Sequence, residues 1–144
     1  AETTQARFSV DFSLADPFAS ATASVSGSRT QTTPYETQFI TVSGTYPARP
    51  VIRMDVISGT VGSFRVENTT ISGQLTAASV VTAGQDITID TDQFKATAEG
   101  VEINTAGVFP KFRAQAEGTN TMVTTISGSS FTALITIEYT PKFL

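Results

Sequence analysis

A chain of 144 residues is long enough for one domain with a hydrophobic core and too short for two of ordinary size, so we expect a single domain over residues 1–144. The net charge of -4 and the nine dispersed basic residues offer no basic surface to nucleic acid or an anionic membrane. With neither cysteine nor histidine, the chain has no disulfide framework or thiolate zinc site and lacks the usual general base of enzymes.

The hydrophobic residues are those of a sheet protein. β-branched residues and phenylalanine are frequent, whereas leucine is scarce. No apolar run approaches the roughly 20 residues of a membrane helix, so membrane insertion is not expected. The first residue is Ala1 rather than methionine, which indicates a processed N-terminus or a fragment of a longer protein.

The N-terminal third predicts three strands. Residues 8–14 alternate apolar with polar side chains, as a half-buried strand does, and the alternation ends at Asp16-Pro17. Residues 19–25 alternate weakly between small and hydroxyl side chains, which fits an edge strand or one packed against close backbone. Residues 27–34 predict a polar loop, and residues 37–42 predict the next strand.

Two prolines then interrupt the pattern before a predicted hairpin. Pro47 and Pro50 cannot donate a hydrogen bond to a ladder, so the chain should cross here to new structure. Residues 51–57 and 64–66 predict the two arms of the hairpin, and the glycine-containing segment 58–63 predicts its turn.

Four further strands are predicted before residue 110. Residues 74–81 and 86–90 repeat the hairpin pattern and are joined by a predicted turn at 82–85. Residues 94–97 and 101–103 follow, separated by a turn at Glu99 and Gly100. Strands spaced about 8 to 12 residues apart, with no crossover helix between them, favour an antiparallel sandwich or barrel.

The most pronounced hairpin signal is residues 120–139. Phe131, Ala133, Ile135, Ile137 and Tyr139 fall on one face of an extended strand. The β-branched run ahead of them predicts the other arm, and residues 127–130 supply a turn with a glycine. Because a lone hairpin is marginally stable in water, the rest of the chain must provide the sheet on which this one packs.

Few residues could carry chemistry, so we predict no catalytic residue, no metal site and no cofactor. Asp86, Asp90 and Asp92 are the densest acids, but strand rise separates the first two by roughly 13 Å, too far to share one ion. A solvated strand face explains them. Glu99 and Glu102 resemble a glycosidase pair, but nothing in the sequence places both in one cleft, and surface charge explains them better.

Carbohydrate binding needs only one or two exposed aromatic rings and a few polar groups. The aromatic residues that the pattern places near loops are Tyr35, Tyr46, Phe109 and Phe112. With no tryptophan and three tyrosines, the inventory for stacking on sugars is small, so packing in the core or at an interface is the better interpretation of the phenylalanines.

The order of several segments resembles the C-terminal part of siphovirus distal tail proteins. The segments are ARFSVDFSLADPF, GTYPARPVI, FRVENTT, AGQDITID, GVFPKFRAQAEGTN and LITIEYTPKFL, spanning about residue 7 to residue 144. The most specific pieces are the strand leading into Asp16-Pro17, the Tyr46-Pro47-x-x-Pro50 motif, Ile89-Asp90 at a strand end, and Gly118-x-Asn120 before the terminal hairpin. Their order and spacing together carry the resemblance.

The resemblance implies a galectin-like, jelly-roll type antiparallel β-sandwich of about ten strands with almost no helix. It also implies a phage tail tip protein that forms hexameric rings and joins the tail tube to receptor-binding or tail-associated proteins. Such proteins carry an N-terminal belt domain that is mostly absent here, so residues 7–18 are expected to link to a missing upstream belt. The candidate interface residues are Phe12, Asp16, Pro17, Phe18, Tyr46, Phe109 and Phe112.

We therefore predict a non-enzymatic assembly module of a phage tail tip or baseplate, found in the virion after synthesis in the bacterial host cytoplasm. Its predicted partners are other tail proteins and further copies of itself. Two alternatives remain open. One is a carbohydrate-binding module that recognises a host-surface polysaccharide, and the other is an adhesin or pilin subunit completed by a donated strand.

Overall fold

The computed structural model describes residues 19–20, 25–71, 73–112 and 119–143, and these residues form strands, turns and connecting segments without a helix. The strand predicted at residues 8–14 lies outside the described residues. The strands are β1 (Ala19–Ser20), β2 (Val25–Gln31), β3 (Tyr35–Ile40), β4 (Val51–Asn68), β5 (Gly73–Thr82), β6 (Asp86–Asp90), β7 (Lys95–Ala98), β8 (Val101–Glu102), β9 (Thr105–Gly107), β10 (Asn120–Tyr139) and β11 (Lys142–Phe143).

Two long strands form the centre of the fold. β4 and β10 pair antiparallel over nearly their whole length, from Met122 opposite Asn68 to Glu138 opposite Val51. The two hairpins predicted within residues 51–66 and 120–139 are therefore wrong. Each segment is one continuous strand, and each is the other's partner.

The two predicted turns lie opposite each other and form one shared corner, which is made of residues 58–63 and 127–130. Register shifts interrupt the pairing of β4 and β10 between Ser127 and Ala133. The buried residues of β10 have even numbers up to Ile126 and odd numbers from Phe131 onward. An inserted residue reverses the faces of a strand, so both halves of β10 turn their apolar side chains inward.

Two glycines permit the close approach of the strands at the corner. A Cβ atom at Gly59 would overlap the carbonyl oxygen of Ser130 and lie 2.7 Å from the Cα atom of Phe131. A Cβ atom at Gly128 would overlap the carbonyl oxygen of Thr60. Gly59 also has a φ of +82°, in the left-handed region that favours glycine. The glycines that predict turns in the sequence instead allow two strands to bend together.

The outer strands follow the same bend in pairs. β2 and β3 are both antiparallel to β10 and lie along its C-terminal and N-terminal halves in turn. β5 and β6 are both antiparallel to β4 and lie along its two halves in the same way. Because both run in one direction, β5 and β6 are consecutive segments on one edge of β4, and the hairpin predicted from residues 74–81 and 86–90 is wrong.

The strand β2 also corrects the loop predicted at residues 27–34. Its side chains are exposed from Val25 to Thr30, and only Gln31 is buried. A strand without a buried face has no apolar alternation, which explains why the sequence pattern predicts a loop. The turn predicted at Glu99 and Gly100 is confirmed, because Ala98 pairs with Val101 across it.

The corner divides the sheet into two halves that enclose one core, an antiparallel β-sandwich as predicted. The first half contains β2, the C-terminal part of β10, the N-terminal part of β4, and β6, β7 and β8. The second half contains β3, the remaining parts of β10 and β4, and β5 and β9. The largest completely buried apolar side chains are Phe64, Phe112, Ile52, Met54, Leu75, Ile87, Ile89 and Met122.

A buried polar pair links the outer strands to β10 at the corner. Thr124 donates its hydroxyl hydrogen to Oε1 of Gln31, with 2.6 Å between the oxygens. Gln31 in turn donates from Nε2 to the carbonyl oxygen of Thr124 at 3.1 Å and to that of Thr33 at 2.9 Å. These bonds satisfy the polar groups that burial removes from water.

The C-terminal segment folds back onto this domain. The carbonyl oxygen of Lys142 accepts hydrogen bonds from the backbone nitrogens of Thr45 at 2.9 Å and Tyr46 at 3.1 Å. Pro141 is buried, and β11 pairs antiparallel with β1. Residues 141–143 therefore close one end of the sandwich.

Candidate functional site

The predicted interface residues are dispersed. Phe12, Asp16, Pro17 and Phe18 lie outside the described residues. Phe112 is completely buried, with its ring edge-on to that of Tyr139 at 5.8 Å between centroids. Backbone hydrogen bonds in both directions between Phe112 and Ala48 hold it there. The structure therefore gives Phe112 a core position, one of the two alternatives, core or interface, that the sequence leaves for the phenylalanines.

Tyr46 and Phe109 lie closer to the surface. Tyr46 is half-buried and forms a bridge to Lys142. Phe109 is half-buried and packs against the core from the segment that follows β9. Whether these two residues and the four outside the described part form an interface stays a prediction.

The acidic residues of the segment 86–92 have local structural partners. Asp90 accepts hydrogen bonds through Oδ1 from the backbone nitrogens of Asp92 and Gln93, both at 3.0 Å, and so caps the turn after β6. Asp86 accepts from the hydroxyl of Thr88 at 2.8 Å through Oδ2. No group of three or more potential metal-ligating side chains is found in the described part of the chain.

The carboxyl groups of Glu99 and Asp86 interact, and the interaction shifts the pKa of Glu99. A side-chain hydrogen bond with Asp86 raises the pKa of Glu99, and the repulsion between the two negative charges adds to this increase. The Oε2 atom of Glu99 also accepts from the backbone nitrogen of Asp86 at 3.0 Å, which acts on the pKa in the opposite direction. Glu99 is exposed, so this pair joins the β7–β8 turn to the start of β6 at the surface.

A hollow of about 450 Å³ lies at the end of the sandwich away from the corner. We call it the aromatic hollow, and Phe94, Phe109 and Arg49 form its most distinctive wall. The Phe94 and Phe109 rings meet edge-on with 5.9 Å between their centroids. The guanidinium carbon of Arg49 lies 4.7 Å from the centre of the Phe94 ring. The remaining lining residues are Ile71, Gly73, Gly107, Val108, Pro110 and Lys111.

Both halves of the sandwich contribute to the aromatic hollow. β6 runs from the corner, where Asp86 is opposite Asp55, to the far end, where Asp90 is opposite Val51. Phe94 follows in the turn after β6 and so belongs to the first half. Phe109 follows β9, which pairs with β5 of the second half. The aromatic hollow therefore lies where the two halves meet at the end of the sandwich away from the corner.

A second exposed aromatic surface lies on β3. Tyr35 is 69% exposed and Phe39 is 74% exposed, and their positions four residues apart place both on the same face of the strand. β3 pairs with β10 on one side, and no other described strand pairs with its outer edge. An unpaired edge carrying exposed aromatic rings is able to pair with another chain.

The amino-acid pattern contains weak signals for these surfaces. Phe94 is the last residue of the polar turn TDQF, a position where an apolar side chain has no core to enter. Phe39 alternates with Ile40, and periodicity alone does not reveal which of the two faces water. The described residues include no helix long and apolar enough to cross a membrane.

Comparisons with known proteins agree with this architecture. No curated protein matches the sequence significantly. The fold is similar to the crystal structure of SPP1 Dit (gp 19.1), described as a paradigm of hub adsorption apparatus in Gram-positive infecting phages. The TM-score is 0.65 at 17% sequence identity, and the match covers 90% of this chain and 50% of SPP1 Dit. The likeness confirms the galectin-like sandwich expected from the sequence.

The sequence also matches a described protein family. Residues 43–143 match the siphovirus-type tail component, C-terminal domain. These residues include β4 to β11 and therefore both long strands, the corner and the aromatic hollow. The chain belongs to the family of siphovirus-type tail component C-terminal domains.

Proposed function

We propose that this domain is an assembly module of a phage tail tip or baseplate, joining the tail tube to receptor-binding or tail-associated proteins. The observation that carries the proposal is the family match over residues 43–143, which includes all the described strands of the sandwich except β1, β2 and β3. The likeness to SPP1 Dit, a hub protein by its description, supports it. This chain spans 50% of that protein's length, so the ring and its further partners belong to the proposal.

The fold suits a scaffold because its long strands are continuous between the two halves. β4 and β10 pass through the corner without a flexible loop, so a load on one half is transmitted to the other through paired backbone. In a homo-oligomeric ring, each contact of this module is repeated by symmetry. Repeated contacts raise the overall affinity without any single strong interface.

The surface supplies groups for docking. Exposed apolar side chains occur on strand faces and turns, and include Phe39, Val80, Val101, Val108 and Phe94, each more than half exposed. Phe39 lies on β3, whose outer edge pairs with no other described strand. Of these residues, Phe94 and Val108 lie together in the aromatic hollow, and contiguous exposed apolar groups are typical of surfaces that another protein covers.

We infer that the module is not an enzyme. Of the two glutamates that resemble a glycosidase pair, Glu99 accepts a hydrogen bond from the backbone nitrogen of Asp86 at the start of β6. In an assembled particle the module would be located at the tail tip of the virion, after synthesis in the host cytoplasm.

Photocrosslinking in intact particles tests the proposal. A photoreactive phenylalanine analogue replaces Phe39 in the encoding phage, and the matched control carries it at Ala83, which is exposed in the turn after β5. The proposal predicts that the Phe39 position crosslinks to another copy of the chain or another tail protein in purified virions. Virions that lack the chain altogether would contradict the assembly role.

The two alternatives predict other results. A carbohydrate-binding module would bind a glycan array as the isolated domain and would show no protein crosslink in the particle. A strand-complemented adhesin would be unstable alone and would gain stability from an added strand peptide. If the isolated domain unfolds cooperatively and binds no glycan on the array, the assembly role would be the remaining interpretation.

A further inference from the structure

We infer that the aromatic hollow is a docking site for an acidic protein segment that carries an apolar side chain. The inference rests on the proposed assembly role only in expecting that segment on another tail protein. The site itself is argued from its lining, its charge and the backbone of Phe94.

The lining of the hollow suits an apolar side chain. Phe94 is 56% exposed and Val108 is 66% exposed, so two large apolar groups at the rim face water. Phe109, Ile71 and Pro110 continue the apolar wall inward. Aromatic side chains surrounded by a polar rim are the typical anchors of protein interfaces.

The charge of the hollow selects an acidic partner. Arg49 and Lys111 are its two charged lining residues, and both are cations. Neither forms an ion pair within residues 25–71, 73–112 and 119–143, whereas Arg29, Arg53 and Arg65 each contact a carboxylate. The protein as a whole has a net charge of -4. Two cations in the lining of one hollow, with no carboxylate among its described lining residues, favour a negatively charged ligand.

The backbone of Phe94 provides an independent observation. Its φ is +56°, in the left-handed region where a bulky side chain is an uncommon occupant. Glycine would adopt this conformation without the steric cost that phenylalanine has there. The turn therefore keeps an aromatic ring at the rim at the expense of backbone stability, which is typical of positions with a function outside the fold.

A protein segment fits this lining better than a sugar chain does. The two rings have no hydroxyl or indole nitrogen, and no asparagine, glutamine or carboxylate side chain among the described residues lines the hollow. Sugar sites depend on several such polar groups to hold the hydroxyls of the ligand. An apolar side chain flanked by carboxylates would satisfy both the rings and the two cations.

Peptide titration of the isolated domain tests the inference. The probe is the hexapeptide acetyl-Glu-Asp-Leu-Phe-Asp-Glu-amide, and the controls replace its acids with lysine or its Leu-Phe with Ser-Ser. We expect the probe alone to shift the backbone NMR signals of residues 94 and 107–111. We also expect several-fold weaker binding when salt is raised from about 50 to 500 mM, because exposed charges are screened.

Variants of the domain separate binding from folding. Phe94→Gly should reduce affinity for the probe about tenfold or more and leave the urea midpoint unchanged or higher. Phe39→Ser, at a ring that is more exposed than Phe94 and lies outside the hollow, should change neither. Arg49→Gln with Lys111→Gln should abolish the preference for the acidic peptide over its lysine counterpart.

Three results would overturn the inference. The first is no shift at millimolar probe, the second is binding of oligogalacturonate without binding of any peptide, and the third is a lower urea midpoint in Phe94→Gly, which would make the ring a structural element. Because these assays use the isolated domain, their failure would leave the crosslinking test of the tail role standing.

Discussion

The four glycines Gly27, Gly84, Gly128 and Gly59 allow a direct test of the corner, because each isolates a different constraint. At Gly27 a Cβ atom would have no other atom within 4 Å and φ is not positive, whereas Gly84 has the same open space at a φ of +87°. Gly128 has no positive φ but lies against the opposite strand, and Gly59 combines both constraints. Replacing each with alanine therefore separates backbone conformation from close approach.

The expected changes follow from these surroundings. Gly27→Ala should be neutral or stabilising by about 0.5 kcal/mol, because alanine loses less conformational freedom on folding. Gly84→Ala should cost about 1 kcal/mol net, since a left-handed alanine costs roughly 1–2 kcal/mol and the smaller entropy loss offsets part of it. Gly128→Ala should cost about 3 kcal/mol, because its Cβ would overlap the carbonyl oxygen of Thr60, a backbone atom that cannot rotate away.

Gly59→Ala should be the most destabilising of the four, at roughly 4 kcal/mol, because it adds the left-handed conformation to the overlap with Ser130. Urea denaturation measures all four variants, with a constant m-value as the sign that stability alone has changed. The double variant Gly59→Ala, Gly128→Ala should be non-additive by more than about 0.5 kcal/mol, because both changes push the same strands apart. Additive losses, or a Gly128→Ala midpoint equal to that of Gly27→Ala, would refute a shared corner and favour two independent turns.

Three further predictions concern the core and the surface. Phe112→Ala should lower the free energy of unfolding by about 3–5 kcal/mol in urea titrations, because the ring is completely buried, whereas Phe39→Ala should change it by less than about 0.5 kcal/mol. Equal effects would contradict the assigned burial. Thr124→Val should cost about 1–3 kcal/mol by leaving Oε1 of Gln31 without its hydroxyl donor, and Thr124→Ser, which keeps the hydroxyl, should cost clearly less. NMR titration should give Glu99 a pKa above its ordinary value, and Asp86→Asn should lower it. Because the raised pKa belongs to the folded state, unfolding free energy should fall as pH rises from the ordinary glutamate value to the raised one, and Glu99→Gln should remove that slope.

The position of a strand can be predicted from the sequence when one face of the strand is buried and the other face is exposed. The pattern predicts the strand at residues 86–90 with the bounds that the structure shows, because Ile87 and Ile89 alternate with polar side chains. It does not predict the strand Val25–Gln31, which exposes nearly every side chain and so has no such alternation. Periodicity reports burial on one face, so a strand without a buried face produces no signal.

The partner of each strand cannot be predicted from the sequence pattern, because a tight turn and a bent strand pair use the same types of residue. Both require glycine, one for positive φ and the other for close backbone approach. The segments 58–63 and 127–130 therefore have the pattern of two separate turns. Only the register, which places Ser127 opposite Ser63 and Gly128 opposite Val61, shows that the two segments form a single corner.

The sequence pattern likewise predicts some features of the candidate site and not others. Phe112 and Phe109 are three residues apart and both are predicted at an interface, but backbone pairing with Ala48 carries Phe112 into the core while Phe109 stays near the surface. Phe94 has only the weak signal of its place at the end of the polar turn TDQF, because its exposure depends on a left-handed backbone conformation that the sequence pattern does not reveal. Placement of an aromatic ring inside or outside depends on long-range pairing, which local pattern does not contain.

The corner and the aromatic hollow lie at opposite ends of the sandwich. The corner joins the two halves through continuous strands, whereas at the opposite end the Phe94 and Phe109 rings of the two halves meet edge-on. A segment bound in the hollow would contact both halves and would bind the folded state but not the unfolded state. Its binding would therefore increase the free energy of unfolding by mass action. At a hundredfold excess over its dissociation constant, that addition is about 2.7 kcal/mol. Assembly through the hollow would therefore stabilise the module at the end where covalent continuity does not.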